Sequence, residues 1–175
     1  SSLAQLISAC ANLPHFSVVH TSLLSLHEQG ANPVQELAFM LAWLSDWSDR
    51  LTDAGLAIED IFNSLSFTLP CGPYYFVEIA KFRAARLLLS QFAKAWSIER
   101  SPGSWSLGAQ TPQRNKSVID AESNILRNTT EAMSAINGGA ERLSIRVHDA
   151  LSTEQSSYSE RLARTNSTLL REASQ

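Results

Sequence analysis

The sequence predicts an α/β protein built on a parallel β-sheet. Four short β-rich runs alternate with long helical runs along the 175 residues. Helices of this length between successive strands favour parallel pairing. Glycine or proline marks most of the boundaries, and no shift in composition divides the chain. Residues 1–175 are therefore expected to form one domain.

The elements are predicted in the following order. A helix over 2–12 closes at Pro14 and precedes a strand over 16–22. Asn32 and Pro33 then supply a helix N-cap and a first-turn proline, Gln35 completes a capping box, and the helix ends at Gly55. The rest of the chain predicts helices over 58–65, 75–96, 123–137 and 155–173, alternating with strands over 66–69, 105–111 and 142–147.

Four strands are too few for a closed barrel of βα units, which needs eight strands and typically about 250 residues. An open four-stranded sheet leaves two edges that must be paired or covered. The domain is therefore expected to be partial: half of a larger protein, or a half that pairs with another chain, including a second copy of itself. Ser1 in place of an initiator methionine favours a fragment or a processed product.

Composition excludes several classes of function. The net charge is −3 and the basic residues are scattered, which argues against a nucleic-acid surface. No apolar run approaches the roughly 18 residues of a membrane span, and no signal peptide is visible. Cys10 and Cys71 form neither a disulfide framework nor a metal motif, and the four histidines have no ligand spacing. A cytoplasmic protein without a bound metal is expected.

The later strands share one alternation, with apolar residues on one side and small or polar residues on the other. The polar set is Ser66, Thr68, Ser104, Ser106, Gly108, Gln110, Arg142, Ser144 and Arg146. The apolar set should face the helices. The polar set then either lines a channel or meets water on an open sheet, and the alternation alone does not choose between the two.

Three segments carry a resemblance to a known family: QELAFML (35–41), GPYYFVEIAKFRAARLLL (72–89) and NILRNTTEAMSAINGG (124–139). In this order they resemble the acyl-CoA-binding barrel of the methylmalonyl-CoA mutase family. The resemblance implies half of a (β/α)8 TIM-type barrel, strands five to eight. It also implies an acyl-CoA along the barrel axis, which makes substrate-channel candidates of Ser66, Thr68, Ser106, Gln110, Thr111 and Ser144.

The family's motif histidines are replaced in this chain. Its patterns SGYHMQEAGA, AHCQTSGW and SLHTNSFDEA each contain one histidine, and Ser25, Gly108 and Ser144 occupy those positions here. His27 resembles instead the histidine of a YHNAGA-like pattern in the non-catalytic small subunits. The resemblance therefore implies a small subunit with no catalytic residues and no cofactor-binding residues of its own in this segment.

Resemblance to a small subunit implies a supporting role. Its partner would be a catalytic large subunit that holds adenosylcobalamin and interconverts (R)-methylmalonyl-CoA and succinyl-CoA. Two alternatives stay open: a divergent acyl-CoA mutase barrel that retains substrate binding or catalysis, and a standalone half-barrel scaffold.

Two further sets of charged residues have ordinary explanations. Glu78 and Lys81, three apart on one helix, predict an exposed pair worth a few tenths of a kcal/mol. Arg142 and Arg146 could face phosphates of a coenzyme A, or could guard an edge strand against pairing.

Overall fold

The structure, a computed structural model, describes residues 2–10, 13, 16–152 and 156–173. The helices there are α1 (Ser2–Cys10), α2 (Leu24–Glu28), α3 (Pro33–Asp53), α4 (Ile58–Ser64), α5 (Tyr75–Ala95), α6 (Ser123–Asn137) and α7 (Ser157–Ala173), with a short 3₁₀ turn at Pro102–Ser104. The strands are β1 (Val19–Ser22), β2 (Leu65–Pro70), β3 (Ser106–Gln110) and β4 (Arg142–Ser144). Predictions that fall on Asn12, Pro14, His15 and Gln155 lie outside the described residues.

The four strands form one parallel sheet in chain order, β1-β2-β3-β4. Helices connect successive strands, because parallel neighbours need a long crossover. The predicted α/β class and the parallel sheet are confirmed. Closure into an eight-stranded TIM-type barrel stays a prediction. Across the described residues, no helix combines the length and the apolar character that crossing a membrane requires.

The hydrophobic core lies between the sheet and its helices. Phe67 and Leu69 of β2 and Leu107 of β3 are fully buried there. Phe62 at the end of α4 packs on Trp105, with ring centroids 5.4 Å apart. The apolar half of the predicted alternation therefore faces the helices, as expected from side chains that change faces with period two.

The start of α3 follows its sequence signature. The Asn32 side chain accepts a hydrogen bond from the Gln35 backbone, and the Gln35 side chain accepts one from the Asn32 backbone. These bonds satisfy donors that the first turn of a helix otherwise leaves free. Met40 and Leu44 then follow on the buried face.

Several local features differ from the sequence prediction, among them the start of β1 at Val19 rather than Phe16. The short helix α2 was not predicted, and β4 ends at Ser144 rather than at Val147. Side chains form hydrogen bonds with both backbone polar groups of Arg146. Its N–H donates to Thr111 Oγ1 at 2.8 Å, and its carbonyl accepts from Asn128 Nδ2 at 2.8 Å. Backbone groups that are satisfied in this way are not available to a β-ladder.

One arginine links the chain segments that lead into β3 and β4. Arg86 of α5 donates to the carbonyl oxygens of Pro102, Trp105 and Gly139 and pairs with Glu141. Gly139, at φ +90°, ends α6 in the left-handed region that favours glycine. The predicted end of this helix at residue 137 is confirmed.

Candidate functional site

The candidate site begins with a polar row across the sheet face that points away from the helices. His20 lies opposite Ser66, and Ser66 lies opposite Ser106, in the parallel register. His20 Nδ1 and Ser66 Oγ are 2.9 Å apart, and Arg142 Nη1 donates to Ser106 Oγ. The row His20–Ser66–Ser106–Arg142 therefore crosses all four strands.

Gly108 lies beside this row, and the space in front of it is already filled. A Cβ on Gly108 would lie 2.9 Å from Thr68 Oγ1 and 3.5 Å from both Cβ and Nε of Arg142. Contacts under about 3 Å between carbon and oxygen are repulsive, so any side chain at position 108 must displace the Thr68 hydroxyl.

The substrate-channel candidates are not equally placed. Ser66, Thr68, Ser106, Gln110 and Ser144 belong to the polar face, as their alternation predicts. Ser66 is only 3% exposed, while Ser144 is exposed. Thr111 is fully buried, its N–H donates to the Ser144 carbonyl, and its hydroxyl accepts from Arg146 N–H. The structure does not bring Thr111 onto this face.

Arg142 and Arg146 are also separated. Arg142 lies on the polar face, whereas Arg146 follows the end of β4 and lines a small cavity beside α6 and α7. The two guanidinium groups therefore do not form a pair on one surface.

Beyond the carboxyl ends of β1 and β2 lies a buried ionic group, here called the Glu36 cluster: His27, Glu36, Glu78 and Lys81. Glu36 accepts from Lys81 Nζ and shares a hydrogen bond with His27 Nδ1, both at 2.7 Å. Lys81 also lies 2.6 Å from Glu78 and donates to the Pro70 carbonyl. One ammonium group thus joins α3, α5 and the end of β2.

The electrostatics of Glu36 reflect these partners. Burial raises the pKa of Glu36, but the hydrogen bond with His27 and the positive charge of Lys81 lower it by more. The net pKa lies below the usual 4.5, so Glu36 is ionised at neutral pH. The prediction of an exposed Glu78–Lys81 pair is wrong, because both side chains are about 2% exposed or less.

A second buried group, the Glu131 cluster, lies next to the first and consists of Cys71, Asn115, Lys116 and Glu131. Lys116 Nζ lies 2.6 Å from Glu131 Oε2, and Asn115 donates to the other oxygen. Burial raises the pKa of Glu131, against the opposing effect of Lys116, and lowers the pKa of Lys116. The Cys71 thiol donates to the Glu131 carbonyl, and burial raises its pKa to about 12.

The sequence contained a signal for the Glu36 cluster. Glu36 lies four residues before Met40 and eight before Leu44, in the phase of the buried face of α3. Glu78 and Lys81 share the buried face of α5 in the same way. A charged residue in the phase of an apolar stripe indicates a buried, paired charge.

No metal centre emerges from the described part of the chain, where no three histidine, cysteine, aspartate or glutamate side chains are grouped to hold an ion. Of the positions where the resembling motifs place histidines, Ser25 lies exposed in α2, and Gly108 and Ser144 lie on β3 and β4.

Fold and site together define a class: a section of βα-repeat protein with a parallel sheet, a polar strand face and buried ion clusters beyond the strand ends. The family model described as methylmalonyl-CoA mutase matches residues 2–175. The chain therefore belongs to the methylmalonyl-CoA mutase family, and the resemblance seen in the sequence is confirmed.

Three relatives illustrate the match. The chain is 37% identical to the methylmalonyl-CoA mutase small subunit of Porphyromonas gingivalis, over 95% of this chain and 27% of that protein. It is 32% identical to methylmalonyl-CoA mutase of Escherichia coli, over 99% of this chain and 24% of that protein. It is also 32% identical to the probable methylmalonyl-CoA mutase large subunit of Mycobacterium bovis, over 94% of this chain and 22% of that protein. The chain spans about a quarter of the length of these relatives.

Proposed function

We propose that this chain is part of the small subunit of a cobalamin-dependent methylmalonyl-CoA mutase. In this role it supports a catalytic large subunit that interconverts (R)-methylmalonyl-CoA and succinyl-CoA. Similarity to a protein named as a small subunit, over 95% of the chain, supports the assignment.

The observation that carries the proposal is the filled space in front of Gly108. Radical rearrangement needs directed hydrogen bonds to a substrate carbonyl in a shielded site. An imidazole at position 108 could supply one, but its Cβ would lie 2.9 Å from Thr68 Oγ1, with Arg142 in contact on the other side. Position 108 therefore offers no hydrogen bond to a reacting acyl group.

Adenosylcobalamin is implied by the family, and we propose that this segment does not hold it. His27 lies beyond the carboxyl end of β1, where its Nδ1 is tied to Glu36 and its side chain is about 10% exposed. The adjacent Gly72 is closely packed, since a Cβ there would lie 3.2 Å from both Glu78 and His27. We therefore assign the cofactor to the large subunit.

The proposed role also implies how the chain is assembled and where it is located. The edges of β1 and β4 are the positions at which four further strands would complete a TIM-type barrel, with this chain supplying strands five to eight. The two cysteines, both free thiols, are compatible with a reducing, cytoplasmic compartment.

A divergent mutase that retains acyl-CoA binding is the second candidate. Thr68, Gln110 and Ser144 favour it, because these side chains leave hydrogen-bonding groups on the polar face. Their partial or full exposure would let a ligand approach them from the carboxyl ends of the strands.

The test uses the full-length protein that contains this chain, purified alone and together with a mutase large subunit. With adenosylcobalamin present, we expect no conversion of methylmalonyl-CoA by the protein alone, and conversion by the stoichiometric complex. Turnover without a partner would favour the second candidate. Failure to bind any large subunit, with no turnover, would favour a standalone scaffold.

A further inference from the structure

We infer that Arg142 and His20 form a built-in plug that closes the polar strand face against an acyl-CoA. The inference rests on the proposed function only in the choice of the excluded ligand. Its structural basis is that residues from the two edge strands reach inward over the two central strands.

The first observation is the burial of Ser66. This serine lies on the face away from the helices, where four strands alone would leave it open to solvent. It is nevertheless 3% exposed. His20 on the neighbouring strand lies directly opposite it, 2.9 Å from its hydroxyl, and accounts for cover from the β1 side.

The second observation is the reach of Arg142 from the other edge. Arg142 pairs in register with Gly108, yet its guanidinium donates to Ser106, two residues earlier on β3. The side chain therefore lies along β3, over both Gly108 and Ser106. A Cβ at position 108 would lie 3.5 Å from Arg142 Nε, an ordinary van der Waals distance, so the Arg142 side chain passes directly over this position.

The third observation is where the neighbouring cleft stops. A cleft of about 710 Å³ opens at the amino ends of the strands. Its lining includes Leu65, Ser106 and Arg142, the first residues of β2, β3 and β4. Thr68 and Gln110, farther along the same strands, do not line it. A long, thin ligand that entered this cleft would meet Arg142 before it reached the centre of the face.

Charge also favours this arrangement. Burial and the positive charge of Arg142 lower the pKa of His20 below its usual 6.5. His20 is therefore neutral at pH 7, and its ring can share a hydrogen bond with Ser66 without repelling the guanidinium. Of the acidic groups near the cleft, Glu141 is paired with Arg86, and Asp60 lies on α4 at the cleft wall.

The test places a reporter under the plug in the full-length protein. Within this chain, Ser66→Cys combined with Cys10→Ser leaves a buried thiol at position 66 and the inert Cys71, and peptide mass spectrometry follows position 66 separately from any other cysteine. We expect slow modification by a charged methanethiosulfonate in this parent. Adding His20→Ala and Arg142→Ala should accelerate modification about tenfold or more, because reaction requires an accessible thiolate.

The matched control is Arg50→Ala, which removes an exposed guanidinium from the outer side of α3 and should leave the rate unchanged. Fast modification in the parent, or an equal rate after both plug substitutions, would overturn the inference.

A second arm measures coenzyme A binding by calorimetry, in the protein without the reporter. We expect no binding with the native plug and measurable binding once His20 and Arg142 are both alanine. Equal binding with and without the plug, or an opened face that still binds nothing, would refute the role of these side chains in excluding the ligand. Neither arm depends on turnover or on a large subunit, so failure here is distinguishable from failure of the proposed function.

Discussion

Glu36 and Lys81 are separated by 45 positions in the chain, yet Glu36 Oε2 and Lys81 Nζ lie 2.7 Å apart with no exposed side-chain surface. A charge in the protein interior is costly unless it is paired and hydrogen-bonded. Each of these charges therefore depends on the other, and the pair fixes how α3 and α5 meet at the carboxyl end of β2.

Glu36→Gln should destabilise the protein strongly. Breaking a buried pair by removing one partner costs about 3–5 kcal/mol, and Lys81 keeps Glu78, so we expect about 3 kcal/mol. Urea unfolding followed by tryptophan fluorescence measures the loss. Asp46→Asn is the control, because its pair with Arg50 is exposed and should contribute less than about 1 kcal/mol. Equal effects of the two substitutions would contradict the assignment.

The stability should also depend on pH through Glu36. Its folded pKa lies below 4.5, so the contribution of its carboxylate is fully present above about pH 4.5 and is lost as the pH falls through the folded pKa. Glu131 opposes this trend because burial raises its pKa. The difference between the native protein and Glu36→Gln isolates the Glu36 contribution. We expect that difference to shrink in acid, and a constant difference would refute the linkage.

The fold was largely predictable because its determinants are local. Capping residues such as Asn32, glycine stops such as Gly139 and the alternation of β2 and β3 each act within a few residues. The Glu36 cluster was missed because its pairing is nonlocal. The positions of Glu78 and Lys81 in the apolar stripe of α5 signal buried charges, but nothing near them identifies Glu36, 45 residues before Lys81, as a partner.

Gly138→Ala should destabilise the protein for a purely steric reason. Its φ is −76°, which any residue can adopt, but a Cβ would lie 2.7 Å from Phe82 Cβ in the core. Overpacking of this kind typically costs about 1–3 kcal/mol. Gly103→Ala is the matched control, since nothing lies within 4 Å of its Cβ position. In chemical denaturation, Gly138→Ala should unfold at a lower denaturant concentration than Gly103→Ala. Equal midpoints would show that the Phe82 side chain can shift without loss of stability.

The two cysteines should differ in reactivity. Cys71 is fully buried with a pKa of about 12, so almost no thiolate exists at pH 8. Cys10 is partly exposed. Titration of this chain with a thiol reagent should therefore modify Cys10 alone in the native protein, and both residues in denaturant. Rapid labelling of Cys71 under native conditions would contradict its environment.

Asn32→Ala should remove the capping interaction at the start of α3. Loss of such an N-cap typically costs about 1 kcal/mol. Asn32→Asp preserves the acceptor for the Gln35 N–H and should recover most of the stability, as measured by thermal unfolding. A similar loss in both variants would mean that the side-chain amide has another role.

The candidate site was predictable only in outline. Period-two alternation identified which residues share the polar face, including Ser66 and Ser106. It could not reveal that His20 and Arg142, on the edge strands, lie across them, because that depends on side-chain course and on the register between strands. Thr111 was a candidate through the family motif rather than the alternation, and it follows the end of β3, where its side chain is buried.

The position of the ion clusters restricts how this protein can change. The connections that leave the carboxyl ends of β1, β2 and β3 hold, among others, His27, Cys71 and Lys116, and their partners Glu36 and Glu131 lie inside helices. New sequences in these connections would remove a hydrogen bond from Glu36, or the ammonium partner of the buried Glu131 carboxylate. Evolutionary variation is therefore expected to accumulate on the outer helix surfaces, and these loops should tolerate few insertions.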